Sequence, residues 1–149
     1  SLFTYLDKID YEDIDDIDKE DFVPNFQVLG YPVIGLDRDN YYIHQGSPTN
    51  LLNDQYDKYK DALSLEFSAV EKVAPTFIWH NFDDDCVNVV NSLRYAENLR
   101  KKGTPVEMHI FPDGGHGIGL PVDDENKVLF HDKQWINLLT NWFKYNDFI

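Results

Sequence analysis

The chain is expected to fold as an α/β domain in which parallel strands are flanked by helices. Three observations carry that expectation. Short apolar runs bounded by Pro, Gly or Asp stand at 26–34 (FQVLGYPVI), 76–80 (TFIWH) and 106–111 (VEMHIF). Segments with helical spacing lie between and after them. The resulting order of strand, helix, strand, helix is that of a parallel sheet joined by helical crossovers.

Each run is too short for a typical helix and has turn residues at its ends, which suits a buried strand. Pro32 and Pro112 fall at or just beyond strand ends, where a missing N–H is tolerated. Residues 47–72 are mixed, and a loop with one or two short helices is expected, one of them near Asp57 to Leu65. Val90, Leu93, Ala96 and Leu99 then step along one helical face. Arg100, Lys101 and Lys102 place cations at the negative end of that helix dipole, and Gly103 supplies its stop. In the last segment Trp135, Leu138, Leu139 and Trp142 follow the i, i+3, i+4, i+7 stripe of an amphipathic helix.

A chain of 149 residues with 42% hydrophobic residues can build one domain with its own core. The net charge is −14. Phosphate-binding surfaces need Lys and Arg, so neither nucleic acid nor an anionic membrane surface is an expected partner. No apolar run approaches the roughly 20 residues that span a bilayer. No basic segment followed by an apolar one marks a secretory signal. A single cysteine, Cys86, cannot close an internal disulfide, so a reducing, cytoplasmic compartment is expected. Cys86 itself is expected to be a small buried apolar side chain.

Half of the net charge sits at residues 7–21, which hold nine acids against two lysines. A solvated connecting segment is the simplest account. It lacks the glycine and the terminal glutamate of a calcium loop. The chain therefore divides into an acidic leader or connection, residues 1–23, and an α/β portion, residues 24–149.

In open α/β sheets, ligands sit at the carboxyl ends of the strands. After TFIWH comes Asn81-Phe82-Asp83-Asp84-Asp85-Cys86-Val87, and after VEMHIF comes Pro112-Asp113-Gly114-Gly115-His116-Gly117. One helix and one strand separate the acids from the histidine, so the two groups are expected at adjacent strand ends. A carboxylate beside an imidazole is the pairing that orients a general base. Alone, an Asp after a strand is commonly a turn residue or a helix cap. The combination in this order is the informative feature.

Residues 79–120, WHNFDDDCVNVVNSLRYAENLRKKGTPVEMHIFPDGGHGIGL, resemble the C-terminal block of α/β-hydrolase esterases. The branch they look most like is that of acetyl-xylan esterases and other carbohydrate esterases. The pattern is His80-x-x-x-Asp84-x-x-Val87, then Asn91-Ser92 and Ala96-x-x-Leu99 on a helix, then Phe111-Pro112-x-Gly114-x-His116-Gly117. Asn88 stands where the family often has proline. The looser likeness runs over residues 14 to 145. The resemblance implies Asp84 as triad acid and His116 as triad base, with Asp83 and Asp85 as the competing choices for the acid. It implies no cofactor. It also implies that this chain is the C-terminal portion of an α/β-hydrolase.

The family nucleophile sits in a Gly-x-Ser-x-Gly elbow, and this sequence contains none. Ser47 stands between Gly46 and Pro48, and Ser92 matches a helix position. The serine and the oxyanion hole are thus expected from a missing N-terminal half or another chain, with self-association through the exposed sheet edge as a further way to cover it. The expected substrate is a carboxylic ester, with an acylated carbohydrate as one candidate. A peptidase of the prolyl-oligopeptidase type, which shares the Asp-then-His ending, and a non-catalytic assembly module are the alternatives. Tyr31, Asp37, Tyr41, Tyr42 and His44 lie near the expected active edge, where aromatics could pack on a sugar or an acyl chain, but plain loop packing is the favoured account of them. His80, His109 and His131 lack metal-ligand spacing. They are expected to be structural, and no metal is expected.

Overall fold

Three parallel strands form the sheet: β1 (Gln27–Gly30), β2 (Thr76–Asn81) and β3 (Val106–Phe111), in spatial order β1-β2-β3. The computed structural model describes residues 14–20, 24–67, 73–119 and 134–149. Among them are four helices, α1 (Gly46–Leu52), α2 (Tyr56–Leu63), α3 (Val90–Lys101) and α4 (Gln134–Tyr145). The register runs Thr76 opposite Val106 to Asn81 opposite Phe111, and Gln27 opposite Thr76 to Gly30 opposite Trp79.

The central strand β2 is buried over its whole length. Its side chains alternate between two cores, as the two-residue period of a strand requires. Ile78 joins Ile34, Leu65, Tyr95 and Leu99 on the α3 face. Phe77 and Trp79 join Trp142 on the α4 face. Helices thus cover both faces of the sheet. The expected α4 stripe holds, with Trp142 as its buried anchor. On α3 Leu99 is fully buried but Leu93 is exposed, and the buried face runs through Asn91, Ser92, Tyr95 and Leu99, because Asn91 and Ser92 turn inward to bond the loop after β1 and His80.

Helix α3 ends where its glycine stands. Gly103 has φ +74°, Thr104 N donates to Leu99 O at 3.1 Å, and Gly103 N donates to Arg100 O at 3.1 Å. These two bonds close a Schellman motif, which satisfies carbonyls that the helix end would otherwise leave open.

One strand is shorter than its apolar pattern. The run 26–34 yields a strand only over Gln27–Gly30. Tyr31 takes φ +36°, outside the extended region, and Pro32 has no N–H to continue the ladder. Tyr31 N still donates to Trp79 O at 2.8 Å. Beyond the proline, Ile34 N and Gly35 N both donate to Asn91 Oδ1 at 3.0 Å, and Asn91 Nδ2 donates to Tyr42 O at 2.8 Å. The buried Asn91 side chain therefore staples the loop after β1 onto α3. Of the acidic leader, residues 14–20 are described. They form a short 3-10 turn, Asp16–Lys19, with Asp15 as its cap and Lys19 paired to Asp16 at 2.6 Å on the surface.

Among the described residues two acids are buried, Asp84 and Glu66. Glu66 is packed beneath the loop after β1, so closely that a Cβ on Gly35 would collide with its carboxyl. Tyr42 Oη donates to Glu66 Oε1 at 3.4 Å, while Oε2 has no hydrogen-bond partner among the described residues. Burial pushes the carboxyl up from its ordinary value. A carboxyl whose folded value is raised holds its proton more tightly folded than unfolded. Its contribution is therefore complete below the ordinary carboxylate range and is lost as pH rises through the folded value. Glu66→Gln is expected to flatten that dependence and to stabilise the protein at pH 8 by about 1–2 kcal/mol. Urea unfolding of both proteins at pH 5 and pH 8 measures it. Equal slopes with pH would sink the assignment.

Candidate active site

Beyond Asn81, the last residue of β2, the chain turns through Asp83–Val87 before α3 begins. Asp84 makes that turn with its own side chain. Oδ1 accepts from Cys86 N at 3.0 Å and from Val87 N at 2.8 Å, the local bonding by which Asp nucleates turns. The turn buries Val87 and the Asp84 carboxylate and leaves Cys86 exposed. The expectation of a buried Cys86 is thereby corrected. An apolar residue type does not specify which side of an Asp-closed turn it faces, and the two amide bonds to Asp84 decide it.

His116 arrives from the end of β3 on a glycine loop. Gly114 and Gly115 have φ +136° and +66°, values that side chains rarely adopt. The loop is tied to the β2 end at two points. Asp83 Oδ1 accepts from Gly115 N at 2.9 Å and its Oδ2 from Gly114 N at 3.3 Å, while Asn81 Nδ2 donates to Gly115 O at 2.9 Å. Farther along, Trp135 Nε1 of α4 donates to Gly119 O at 3.0 Å. Neighbouring acids thus do different work: Asp83 holds the backbone that carries the histidine, and Asp84 holds the ring. Asp85 is exposed on the turn.

His116 Nδ1 lies 2.8 Å from Asp84 Oδ2. A carboxylate oxygen accepts, so Nδ1 carries the proton and Nε2 is left as the basic nitrogen. The Asp84 side chain is fully buried and that of His116 is 31% exposed. This is the arrangement of a fixed orienting acid and an imidazole open to a cleft. The Tyr31 ring packs against His116 at 4.7 Å between centroids and edge-on against Trp79 at 4.8 Å. The strained Tyr31 backbone therefore coincides with this site, the kind of place where strain is commonly retained.

The remaining loop residues serve their own packing. Tyr42 is buried on Glu66, His44 Nδ1 meets Ser47 Oγ at 2.8 Å, and Asp37 accepts from Asn40 Nδ2 at 3.3 Å. Tyr41 stands exposed, with its ring edge-on to Tyr42. His109 pairs with Glu107 on the same face of β3 at 2.9 Å. His131 lies outside the described residues. Among the described residues no group of three His, Cys, Asp or Glu side chains is placed to hold a metal ion.

His80 is a buried residue of β2, as expected, but its contact with the Asp84 carboxylate was not anticipated. It is fully buried on β2, four residues before Asp84, and its Nε2 lies 3.2 Å from Asp84 Oδ2 and 2.8 Å from Val87 O. Its Nδ1 lies 2.7 Å from Ser92 Oγ on α3. The i, i+4 spacing of His80 and Asp84 and the shared α3 face of Ile78 and His80 were the available signals.

A parallel sheet covered by helices on both faces, with a buried carboxylate after one strand and an imidazole on it from the next, defines an α/β-hydrolase domain. The prolyl oligopeptidase family matches residues 24–143, and the chain belongs to that family. It is similar to the acetylxylan esterase of Xylanibacter ruminicola, with 33% identity over 128 residues, covering 81% of this chain and 25% of the relative. Endo-1,4-beta-xylanase B of Butyrivibrio fibrisolvens is 35% identical over 102 residues, covering 68% of this chain and 16% of the relative. Among solved structures, an acetyl ester-xyloside bifunctional hydrolase from Caldicellulosiruptor lactoaceticus superposes with a TM-score of 0.74 at 41% identity, covering 85% of this chain and 44% of that one. The chain thus spans a quarter or less of these curated relatives and under half of the solved hydrolase.

Proposed function

We propose that this chain supplies the acid and the base of a serine-type hydrolase of carboxylic esters, with the serine contributed by another portion of the sheet. The observation that carries the reading is the His116 Nδ1 to Asp84 Oδ2 bond of 2.8 Å, which leaves Nε2 basic. In the complete site, Nε2 takes the proton of the serine as it attacks the ester carbonyl, then returns it to the departing alkoxide. Water repeats the sequence to release the acid. Asp84 holds the tautomer and stabilises the imidazolium that forms between the two transfers.

The direction from which the serine comes has a physical basis. His116 follows β3, yet its ring meets Tyr31, which follows β1 at the other side of the sheet. The imidazole therefore leans across the end of β2. Among the described residues β1 pairs with β2 alone, so a further strand added along β1 would bring its carboxyl end beside that ring. This is the edge at which we place the serine-bearing portion, on the same polypeptide or a separate one.

Acylated carbohydrate is the substrate class that the acetylxylan esterase and the acetyl ester-xyloside hydrolase among its relatives support. Membership of the prolyl oligopeptidase family favours a peptide bond as the second reading. The reading places the protein in the cytoplasm, consistent with one unpaired cysteine. Among the described residues, no helix is long and apolar enough to cross a membrane. The discriminating assay gives the serine-complemented protein an acetylated xylo-oligosaccharide and a prolyl peptide anilide side by side. Release of acetate without cleavage of the anilide is the expected outcome, and the reverse would establish the peptidase.

A further inference from the structure

The Asp84 carboxylate carries more than a triad acid requires. Oδ1 receives two backbone amides, and Oδ2 faces two imidazoles, His116 at 2.8 Å and His80 at 3.2 Å. The second imidazole has no access to substrate, because His80 and Ser92 are both fully buried. Ser92, His80 and Asp84 therefore have the composition of a triad without its function.

The tautomer of His80 follows from its neighbours. Nε2 lies 2.8 Å from Val87 O, and a carbonyl can only accept, so Nε2 carries a proton. Burial lowers the basicity of this ring, so it holds a single proton. Nδ1 is then an acceptor, and Ser92 Oγ donates to it at 2.7 Å. With Nε2–H shared between Val87 O and Asp84 Oδ2, the same ring ties the turn that carries the acid to the acid itself. The ionisable groups around the pair come from every packed element: His80 on β2, Asp83 and Asp84 on the turn, His116 after β3 and Tyr31 after β1.

We infer that His80, fixed as its Nε2–H tautomer by Val87 O and held at Nδ1 by Ser92, is a positioning residue for Asp84, and so sets the direction in which the carboxylate presents Oδ2 to His116. The inference rests on the hydrolase reading only for its effect on rate. A carboxylate held by amides at one oxygen can still pivot about the bond to its Cβ. A donor fixed on the other oxygen stops that motion, and misplacement of a reacting group by about 1 Å can cost on the order of 100-fold in rate.

The test separates the two readings. In the 149-residue chain labelled with 15N-histidine, His80 is expected to show the Nε2–H tautomer with a hydrogen-bonded Nδ1, and His116 a downfield Nδ1 proton. His80→Leu, close in size but without a donor, is expected to abolish or broaden that His116 proton. His80→Gln, whose amide restores a donor near Nε2, is expected to retain it. Ser92→Ala keeps the ring and its Nε2–H tautomer but removes the donor to Nδ1. It is expected to move the His80 Nδ1 signal to that of an unbonded nitrogen and to broaden the His116 proton, which provides the readout if His80→Leu does not fold. In the serine-complemented protein, His80→Leu is expected to lower kcat about 10-fold or more with KM unchanged. An unchanged His116 proton and kcat in a folded His80→Leu protein would overturn the inference, as would a His80 found as the Nδ1–H tautomer. A complemented protein that cleaves no ester while the NMR signature stands as expected would remove the hydrolase reading alone.

Discussion

Replacing Asp84 by Asn is expected to lower kcat/KM of the serine-complemented protein on the order of 10^4-fold, the size of effect seen when an orienting carboxylate becomes an amide elsewhere. The cause lies in the four donors around the residue. An Asn side chain has one accepting oxygen. The turn amides of Cys86 and Val87 would claim it, since they fix the local backbone. The amide nitrogen would then face His116 and His80. A donor opposite His116 Nδ1 forces that nitrogen to accept, which moves the ring proton to Nε2 and leaves no base for the serine. The imidazolium also loses its counter-charge. Because the turn bonds survive, the sheet should persist, and circular dichroism beside the rate measurement separates loss of function from loss of fold. A fall in rate below 10-fold would assign the acid to another residue.

Trp142→Ala is expected to be the most costly core substitution among the described residues. The indole lies on the α4 face of β2, in ring contact with Phe26, Phe77, Phe143 and Phe148 at centroid separations between 5.3 and 6.1 Å. It is the buried anchor of α4 and one of three fully committed residues in that core. Truncation removes a large apolar surface and leaves a cavity that four rings cannot fill without moving, at a cost of about 3–5 kcal/mol. Domains of this size hold only about 5–15 kcal/mol in reserve. The expected reading is a fall of roughly 10–15 °C in Tm and a lower urea midpoint with little change in slope. A loss below about 1 kcal/mol would mean that α4 does not depend on this anchor.

Some of this was legible in the sequence because the signals were local. β3 was readable to its ends, since Pro105 and Pro112 bracket it and no apolar residue continues the run. Helix α3 was readable to its stop because Gly103 is a backbone requirement, written in one residue. β1 was over-read by five residues, Phe26 and residues 31–34. Val33 and Ile34 continue the apolar pattern, and Ile34 does reach the core, but from a loop held by Asn91 rather than from a strand. Residue type records burial there and says nothing of the ladder that Tyr31 and Pro32 interrupt.

The site divides in the same way. The three acids Asp83–Asp85 and His116 could be singled out because they follow strand ends, and the family resemblance chose Asp84 among the acids. The fold brings Asp84 and His116 to 2.8 Å, whereas Asp83 meets the glycine loop. What needed three dimensions was everything that depends on side chains from separate elements. His80 meets Ser92 only because β2 alternation and α3 packing coincide, and the His116 ring reaches Tyr31 only because the glycine loop carries it across the β2 end. Cys86 was misplaced for a related reason, since a turn closed by two bonds to one carboxylate outranks the preference of a single small side chain.

The measurement that bears most directly on the central claim is ester hydrolysis by the serine-complemented protein with His116 intact and with His116→Ala. The account predicts acyl-ester turnover in the first and a loss on the order of 10^3-fold or more in the second. It predicts turnover no greater than background from the 149-residue chain alone. Turnover by His116→Ala at the rate of the intact protein would contradict it.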